Sequence, residues 1–311
     1  VMKAFEALRI VFMGTPGFAV ASLDALVQAG ANVVAVVTAP DKPAGRGMKL
    51  TPSAVKTYAT EHQIPVLQPE KLKEAGFIET LKSYQADLQV VVAFRMLPEM
   101  VWNMPPMGTI NVHGSLLPHY RGAAPINWAV INGEKMTGVT TFQLQHEIDT
   151  GNILLQESFP IGENDTAGDV HDHMQIVGAN LLVKTIKALA AGTITPQPQA
   201  FVAIEKLKHA PKIFTETCVI NFDQPVQQVH NHIRGLSPFP GAFTHLNDKI
   251  FKIYQSTIEP SPVSEVPGTV VSDGKTFLKF ACKDGYLVTH NIQLEGKRKM
   301  NVEEFLRGYK L

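Results

Sequence analysis

The chain has 311 residues, 45% of them hydrophobic and 18% charged, which is longer than one core usually organises and excludes a disordered or low-complexity chain. Basic and acidic residues balance at 28 each, yet from Lys206 to Leu311 there are 14 basic and 10 acidic residues, so that third carries net +4 and the rest net −4. A basic domain is compatible with nucleic-acid contact, and equally with a solvated mixed surface. Two cysteines, Cys218 and Cys282, without CxxC spacing exclude a disulfide framework and point to a reducing, cytoplasmic compartment. No apolar run approaches the roughly 20 residues of a membrane-spanning helix, and Val1 to Arg9 lacks the layout of a signal peptide, so no membrane association is expected. Val1 to Ala7 are expected to be partly frayed.

In chain order, Leu8 to Met13 (LRIVFM) reads as a strand closed by Gly14-Thr15-Pro16-Gly17, and Phe18 to Ala29 as a helix ending at Gly30. Asn32 to Thr38 is a β-branched, unbroken run, as expected of a strand covered on both faces. Further strands are predicted at Leu88 to Phe94 and Gly108 to His113, with helices near Pro52 to His62 and Pro69 to Ser83 between them. This alternation predicts an α/β fold with a doubly wound, mostly parallel sheet. A strand around Thr140 to Leu144, another in ILLQESFPI and a long helix from Ala167 to Ala191 follow. The stretch from Gly192 to Gln199 is rich in Pro, Gly and Gln and reads as an extended linker. Beyond it, turn signals at Asn247-Asp248, Ser272-Asp273-Gly274 and Lys283-Asp284-Gly285 punctuate short strands of a smaller β-rich, barrel-like (OB-like) domain. The expected organisation is a catalytic domain over residues 1–191, a linker over 192–210 and a β-rich domain over 211–311.

Asn111 and His113 sit two apart on one predicted strand, so both side chains emerge on one face near its carboxyl end, where open α/β sheets place ligands. An amide donor beside an imidazole suits acyl-type transfer, the amide facing a developing oxyanion and the ring exchanging a proton. Asp149, in the loop after the next strand, can reach the same spot and set the tautomer of His113. A structural histidine at a strand end fits the spacing equally. The loop that follows, Ser115 to Pro125, mixes two exposed-looking leucines with prolines and an arginine, as a ligand-lining loop does. Gly14-Thr15-Pro16-Gly17 lacks the full GxGxxG pattern, so no dinucleotide is expected. The pairs His171 with His173 and His230 with His232 lack the i, i+4 spacing of a helical zinc pair, and no metal site is expected.

NVHGSLLPHYRGAAPI (Asn111 to Ile126) and TGVTTFQLQHEIDTGNIL (Thr137 to Leu154) closely resemble the defining region of the folate-dependent formyltransferases. IVFMGTPGFAV (Ile10 to Val20), DKPAGRGMKLTPSAVK (Asp41 to Lys56), IRGLSPFPGAF (Ile233 to Phe243) and the ending IQLEGKRKMNVEEFLRGY are similar to the branch of that family that formylates methionyl-tRNA. The resemblance covers nearly the whole chain and implies a Rossmann-like formyltransferase domain. It implies catalytic Asn111, His113 and Asp149, and 10-formyltetrahydrofolate as formyl donor. It further implies donor contacts from Ser115, Leu116, Leu117 and Pro118, with Phe94, Arg95, Met96 and Leu97 giving backbone contacts to the pterin. Its tRNA-gripping loop corresponds to Asp41 to Leu50, where Arg46 and Lys49 would meet a phosphate or the acceptor end of initiator methionyl-tRNA along an irregular, mobile path; from composition alone the same segment reads as a solvated surface loop. The alternative within the family is a sister enzyme using the same folate site but acting on a sugar amine or other small amine, a purine precursor or water. The sequence departs from the family pattern at Gly17, Gly114 and His119, none of them in the Asn, His, Asp set. A monomer is the default expectation.

Overall fold

The computed structural model describes residues 2–311. The chain divides into two compact units, neither contiguous in sequence: the first takes in the residues up to Arg121, Gly138–Ser158 and Asp172–Lys208, and the second Gly122–Thr137, Phe159–His171 and His209–Leu311.

In the first unit the elements run β1 (Arg9–Gly14), α1 (Gly17–Gln28), β2 (Asn32–Val37), β3 (Lys42–Ala44), β4 (Lys49–Thr51), α2 (Ala54–Glu61), β5 (Val66–Leu67), α3 (Ala75–Ser83), β6 (Leu88–Val92), α4 (Glu99–Trp102) and β7 (Thr109–His113). After β8 (Arg121–Gly122) come β9 (Met136–Gln143), β10 (Ile153–Pro160) and α6 (Ala167–Ala191), while α5 (Pro125–Ile131), between β8 and β9 in the chain, belongs to the second unit. The main sheet has seven strands in the order β10-β9-β7-β6-β1-β2-β5. Pairing is parallel from β5 through β7 and antiparallel between β7 and β9. Val11, Met13, Ala35, Val37 and Val91 pack on one side with Phe77 and Leu81 of α3. Ile10, Phe12, Val36, Val90 and Val92, the alternate positions, are equally buried on the other side. Cover on both faces is why these strands read as unbroken apolar runs. Because β1 leads to β2 on one side and neighbours β6 on the other, the sheet order reverses there, and the carboxyl ends of β1, β6 and β7 form its ligand edge.

Four expectations need adjustment. Helix α3 starts at Ala75, not Pro69, because the Arg95 guanidinium draws the carbonyls of Pro69 and Glu70 into hydrogen bonds of 2.8 and 2.9 Å and holds that stretch out of a helix. Near the start, Val1 lies outside the described residues, but the segment after it is anchored: Phe5 is buried in a turn and the Lys3 ammonium pairs with Asp87 at 3.0 Å. Asp41 to Leu50 is a regular hairpin, Lys42 opposite Thr51 and Ala44 opposite Lys49, rather than an irregular path. Helix α6 is long and apolar enough to cross a membrane by length and composition, although the sequence has no unbroken apolar run of that length. It behaves as a core helix of this unit: Met174, Leu182 and Ile186 are fully buried, and the Thr185 hydroxyl meets that of Thr141 on β9 at 2.8 Å.

The second unit contains β11 (His209–Ala210), α7 (Val226–Gly235), β12 (Ala242–Leu246), β13 (Lys249–Pro260), β14 (Val270–Ser272), β15 (Leu278–Ala281), β16 (Gly285–Leu294), β17 (Met300–Asn301) and α8 (Val302–Gly308). Strands β12-β13-β16-β15-β14 form a curled antiparallel half-barrel with β17 added on β16. Register shifts along β13 near Gln255 let that long strand bend. All three predicted turns fall between consecutive strands. The interior holds Phe251, Phe280 and Phe305, each worth about 1.5–3 kcal/mol of burial. Two helices were missing from the β-rich reading. Val226, Val229 and Ile233 put one face of α7 into this core, joined by Leu236 just after the helix. In α8, Asn301 caps the helix by accepting from the Glu304 N–H at 2.8 Å, an N-x-x-E pattern visible in the sequence.

Candidate active site

Strand β7 ends with Asn111 and His113 on one face, paired across from Val91 of β6 and Thr140 and Phe142 of β9. The Asn111 side chain is half-buried and makes no hydrogen bond among the described residues, so its amide is free to donate. His113 is buried, its ring set edge-on to Phe142 at 6.4 Å between centroids. One ring nitrogen, Nε2, donates to the Tyr120 carbonyl at 2.8 Å. A carbonyl can only accept, so Nε2 carries the hydrogen and Nδ1 is the nitrogen that exchanges a proton. Nδ1 faces the Asp149 carboxylate at 3.8 Å, longer than a direct hydrogen bond and wide enough to admit a reacting group's proton. His113 and Asp149 therefore approach one another, and Asn111 shares the face of β7 with His113.

The surrounding backbone is held in uncommon shapes. Ala93 after β6, Tyr120 and Asp149 all have left-handed backbones, with φ of 50°, 60° and 57°, each costing on the order of 1–3 kcal/mol and persisting only where neighbours enforce it. The neighbours are visible for Asp149. Its carbonyl accepts from Gln199 Nε2 at 2.7 Å and Arg121 Nε at 3.2 Å, while Arg121 also donates to Gln199 Oε1 at 2.6 Å. Gln199 donates again to the Gly151 carbonyl at 3.0 Å. Gly151 itself must be glycine: a Cβ there would lie 1.5 Å from the Gln143 carbonyl oxygen.

The loop after β7 is more inward than its composition suggests. Ser115 is fully buried and donates to the His119 carbonyl at 2.7 Å; Leu117 is buried, correcting the exposed reading of that leucine. The Thr140 hydroxyl donates to Ser115 O at 2.7 Å and accepts from Leu117 N at 3.2 Å, and Gln156 donates to Leu117 O at 3.0 Å. Leu116 lies over Gly138, where any Cβ would come within 2.5 Å of its Cδ2. Ser115 thus shapes the loop through its hydroxyl, and Leu117 through its backbone N–H and carbonyl. The His119 ring accepts from Lys208 N at 3.2 Å.

At the ends of β1, β2 and β6, Thr15, Ala39, Lys42, Ala93, Phe94 and Arg95 line a cavity of about 460 Å³. Met96 is exposed and Leu97 buried. The guanidinium of Arg95 lies 5.0 Å from the Phe94 ring centroid, so this turn presents a flat apolar wall beside fixed backbone groups, as a heterocycle requires. The β3–β4 hairpin is exposed throughout, with Gly45, Gly47 and Met48 in left-handed conformation around Arg46, and Met48 and Leu50 uncovered. Its base is fixed by the Lys56–Asp41 ion pair at 3.0 Å and by Gln68, whose side chain donates to Asp41 at 2.8 Å; these two hydrogen bonds lower the Asp41 pKa. Among the described residues no group of three His, Cys, Asp or Glu is placed to hold a metal ion.

The formyl transferase family model matches residues 8–186, and the model of the formyl transferase C-terminal domain matches 212–310. The chain belongs to the formyl transferase family. A methionyl-tRNA formyltransferase of Bacteroides fragilis is 52% identical over 98% of this chain and 96% of its own length. One from Porphyromonas gingivalis is 48% identical over 98% and 97%. Among solved structures, an N-formyltransferase from Helicobacter canadensis in complex with folinic acid and dTDP-3-aminofucose covers 91% of this chain and 98% of its own, with TM-score 0.66 and 21% identity. HypX from Aquifex aeolicus in complex with tetrahydrofolic acid covers 97% of this chain and 48% of its own, with TM-score 0.66 and 18% identity. These structures share the fold.

Within this formyl transferase site, sequence reading missed Arg121, Gln199 and Tyr120. Arg121 stood inside the matched motif, but Gln199 lies 50 residues from the loop it clamps, in a stretch read as linker. Its neighbour Gln197 pairs through its backbone with Ile153 at the start of β10, which ties that stretch to the sheet. Gln199→Ala is expected to lower kcat about tenfold, because small displacements of a reacting group are costly, with the melting temperature nearly unchanged. Thermal melts beside steady-state kinetics check this.

Proposed function

We propose that this chain transfers the formyl group of 10-formyltetrahydrofolate to the α-amino group of methionyl-initiator tRNA, in the cytoplasm. The observation that carries it is the unpartnered Asn111 amide beside the His113–Asp149 pair at the ligand edge of the sheet. Full-length identity to methionyl-tRNA formyltransferases supports the acceptor and weighs against a sugar amine. The methionine nitrogen attacks the formyl carbon, and the Asn111 amide donates to the formyl oxygen as it gains charge. His113 Nδ1 and Asp149 take the proton lost by that nitrogen. The bond from the formyl carbon to N10 of the folate then breaks, and N10 gains a proton. Phe94 to Leu97 hold the pterin, Leu116 and Pro118 bound the donor, and Ser115 and Leu117 fix the loop. A catalytic domain over 1–191 and a tRNA-binding domain over 211–311, acting as a monomer, complete the reading, the latter's positive charge favouring tRNA.

The test is transfer of labelled formyl from 10-formyltetrahydrofolate to methionyl-initiator tRNA, beside methionyl-elongator tRNA and a UDP-amino sugar. Label on the initiator species alone supports the reading; label on the sugar, or free formate only, overturns it. Arg46 and Lys49 on the β3–β4 hairpin are assigned to tRNA phosphates. Arg46→Ala with Lys49→Ala is expected to raise KM for methionyl-tRNA and to reduce the slope of log affinity against log salt by about 2, leaving KM for the donor in place. Binding titrations over a salt series read this out.

A further inference from the structure

Residues 200–207 run between two pins, and each pin holds a support of the reacting pair. At one end Gln199 Nε2 donates to the Asp149 carbonyl at 2.7 Å and to the Gly151 carbonyl at 3.0 Å. At the other, the Tyr120 N–H donates to Lys208 O at 2.7 Å and the Lys208 N–H donates to His119 Nδ1 at 3.2 Å. The carbonyl of that same Tyr120 accepts from His113 Nε2. Among the described residues, the only hydrogen bonds made by 200–207 close a turn within the segment, from Lys206 N and Leu207 N to Ala203 O and Ile204 O.

This strap carries two uncovered apolar side chains. Phe201 is 94% exposed, and Ile204, three residues on, is 81% exposed. One exposed apolar residue is ordinary; two on a short segment anchored to the supports of His113 and Asp149 mark a binding surface. The Phe201 ring has no aromatic or cationic partner among the described residues, so its faces are open. Lys206, in the turn of the same strap, has no carboxylate within ion-pair distance among the described residues. An open ring near an uncompensated cation suits a nucleobase and its phosphate. Reach decides which part of the acceptor it meets. Two residues span at most about 7 Å, so Phe201 lies just beyond the side chain that clamps Asp149. A methionine side chain leaves the carbon next to the reacting nitrogen and stays beside Asp149 itself. The base is set off from that nitrogen by the ester and the ribose.

We infer that Phe201 is a stacking platform for the terminal adenine of the acceptor tRNA, with Ile204 flanking the ribose and Lys206 facing the adjoining phosphate. The inference rests on the methionyl-tRNA reading of the site. F201A is expected to raise KM for methionyl-initiator tRNA by about tenfold, the loss that follows when a base gives up an aromatic ring. The stack is the same in the ground and transition states, so kcat and KM for the donor stay within about twofold. F201W keeps a flat face and retains the natural KM, whereas F201L, apolar but not flat, does not. Stacking is not screened, so the ratio of KM values persists as salt is raised to about 0.3 M.

The experiment measures KM and kcat for the natural chain, F201A, F201L and F201W. It also titrates F201W with uncharged initiator tRNA, intact or lacking its terminal adenosine, following indole fluorescence against the natural chain's own Trp102 and Trp128 as background. A tenfold rise in KM for F201A that is absent in F201W, with quenching that requires the terminal adenosine, supports the assignment. An unchanged KM in F201A, a natural KM in F201L, or equal quenching by the two tRNAs overturns it. Absence of formyl transfer together with quenching that requires the terminal adenosine defeats the formyl-transfer reading and leaves the platform standing.

Discussion

Replacing Asn111 by alanine is expected to lower turnover by roughly 10²–10³, the usual loss for one oxyanion donor, with KM for both substrates within a few-fold of the original. The reason is local. Asn111 lies near the carboxyl end of a strand whose inward neighbours Ile110 and Val112 are buried and whose register is fixed by Val91 on one side and Phe142 on the other. Its amide has no partner to lose among the described residues, so truncation is expected to leave no buried group unsatisfied and the melting temperature to hold. A kcat loss without a stability loss therefore reads the oxyanion role directly. Near-normal turnover in a well-folded N111A enzyme would remove Asn111 from the chemistry. Asn111→Asp places a carboxylate where negative charge develops and is expected to be at least as damaging.

The α/β sheet was legible because its strands are covered on both faces: a run such as NVVAVV over β2 can be little else once flanked by helical patterns. Asn111 and His113 were legible because a strand's two-residue period puts them on one side, and Asp149 because the DTG turn follows the next strand. The supports of that triad were not. Tyr120 acts through a carbonyl, which any residue possesses, and its φ of 60° belongs to tertiary packing, not to a tyrosine's own preference. Gln199 acts on Asp149 across the fold, and its composition-rich surroundings looked like a tether. In the second unit the turn residues Asn247-Asp248 and Ser272-Asp273-Gly274 announced hairpins. Asp273 illustrates why: its carboxylate accepts from the hydroxyl and backbone N–H of Thr276 and from the N–H groups of Lys275 and Phe277, which fixes the turn and holds its pKa far below the usual carboxylate range. Helix α7 carries apolar residues at helical spacing, Val226, Val229 and Ile233, but they are few and stand among many strand signals.

Asp149→Asn tests the other half of the proposed chemistry. The substitution keeps the size and shape of a residue whose backbone is clamped by Gln199 and Arg121 and whose left-handed conformation asparagine tolerates well, so the loop should stay in place. What is lost is a carboxylate 3.8 Å from His113 Nδ1. Tyr120 O still holds the Nε2 hydrogen, but the proton-exchanging side of the ring then faces an amide, which cannot take up a proton from the attacking nitrogen. Turnover is expected to fall by about 10²–10⁴, the range supplied by positioned acid–base groups, while donor binding without acceptor is expected to change less than about threefold because no charge-assisted contact to folate is assigned to Asp149. The free α-amino group titrates near ~7.7–8.0, so the natural enzyme's rate is expected to rise with pH as that amine deprotonates. In D149N the small residual rate should retain this dependence, since the amine's own ionisation is untouched. Single-turnover formyl transfer across a pH series, with D149N beside N111A and the double variant, separates the roles. Losses that multiply mark two independent contributions, an oxyanion donor and a proton acceptor; a double variant no slower than D149N alone would mean that Asn111 acts only when the Asp149 side of the site is intact.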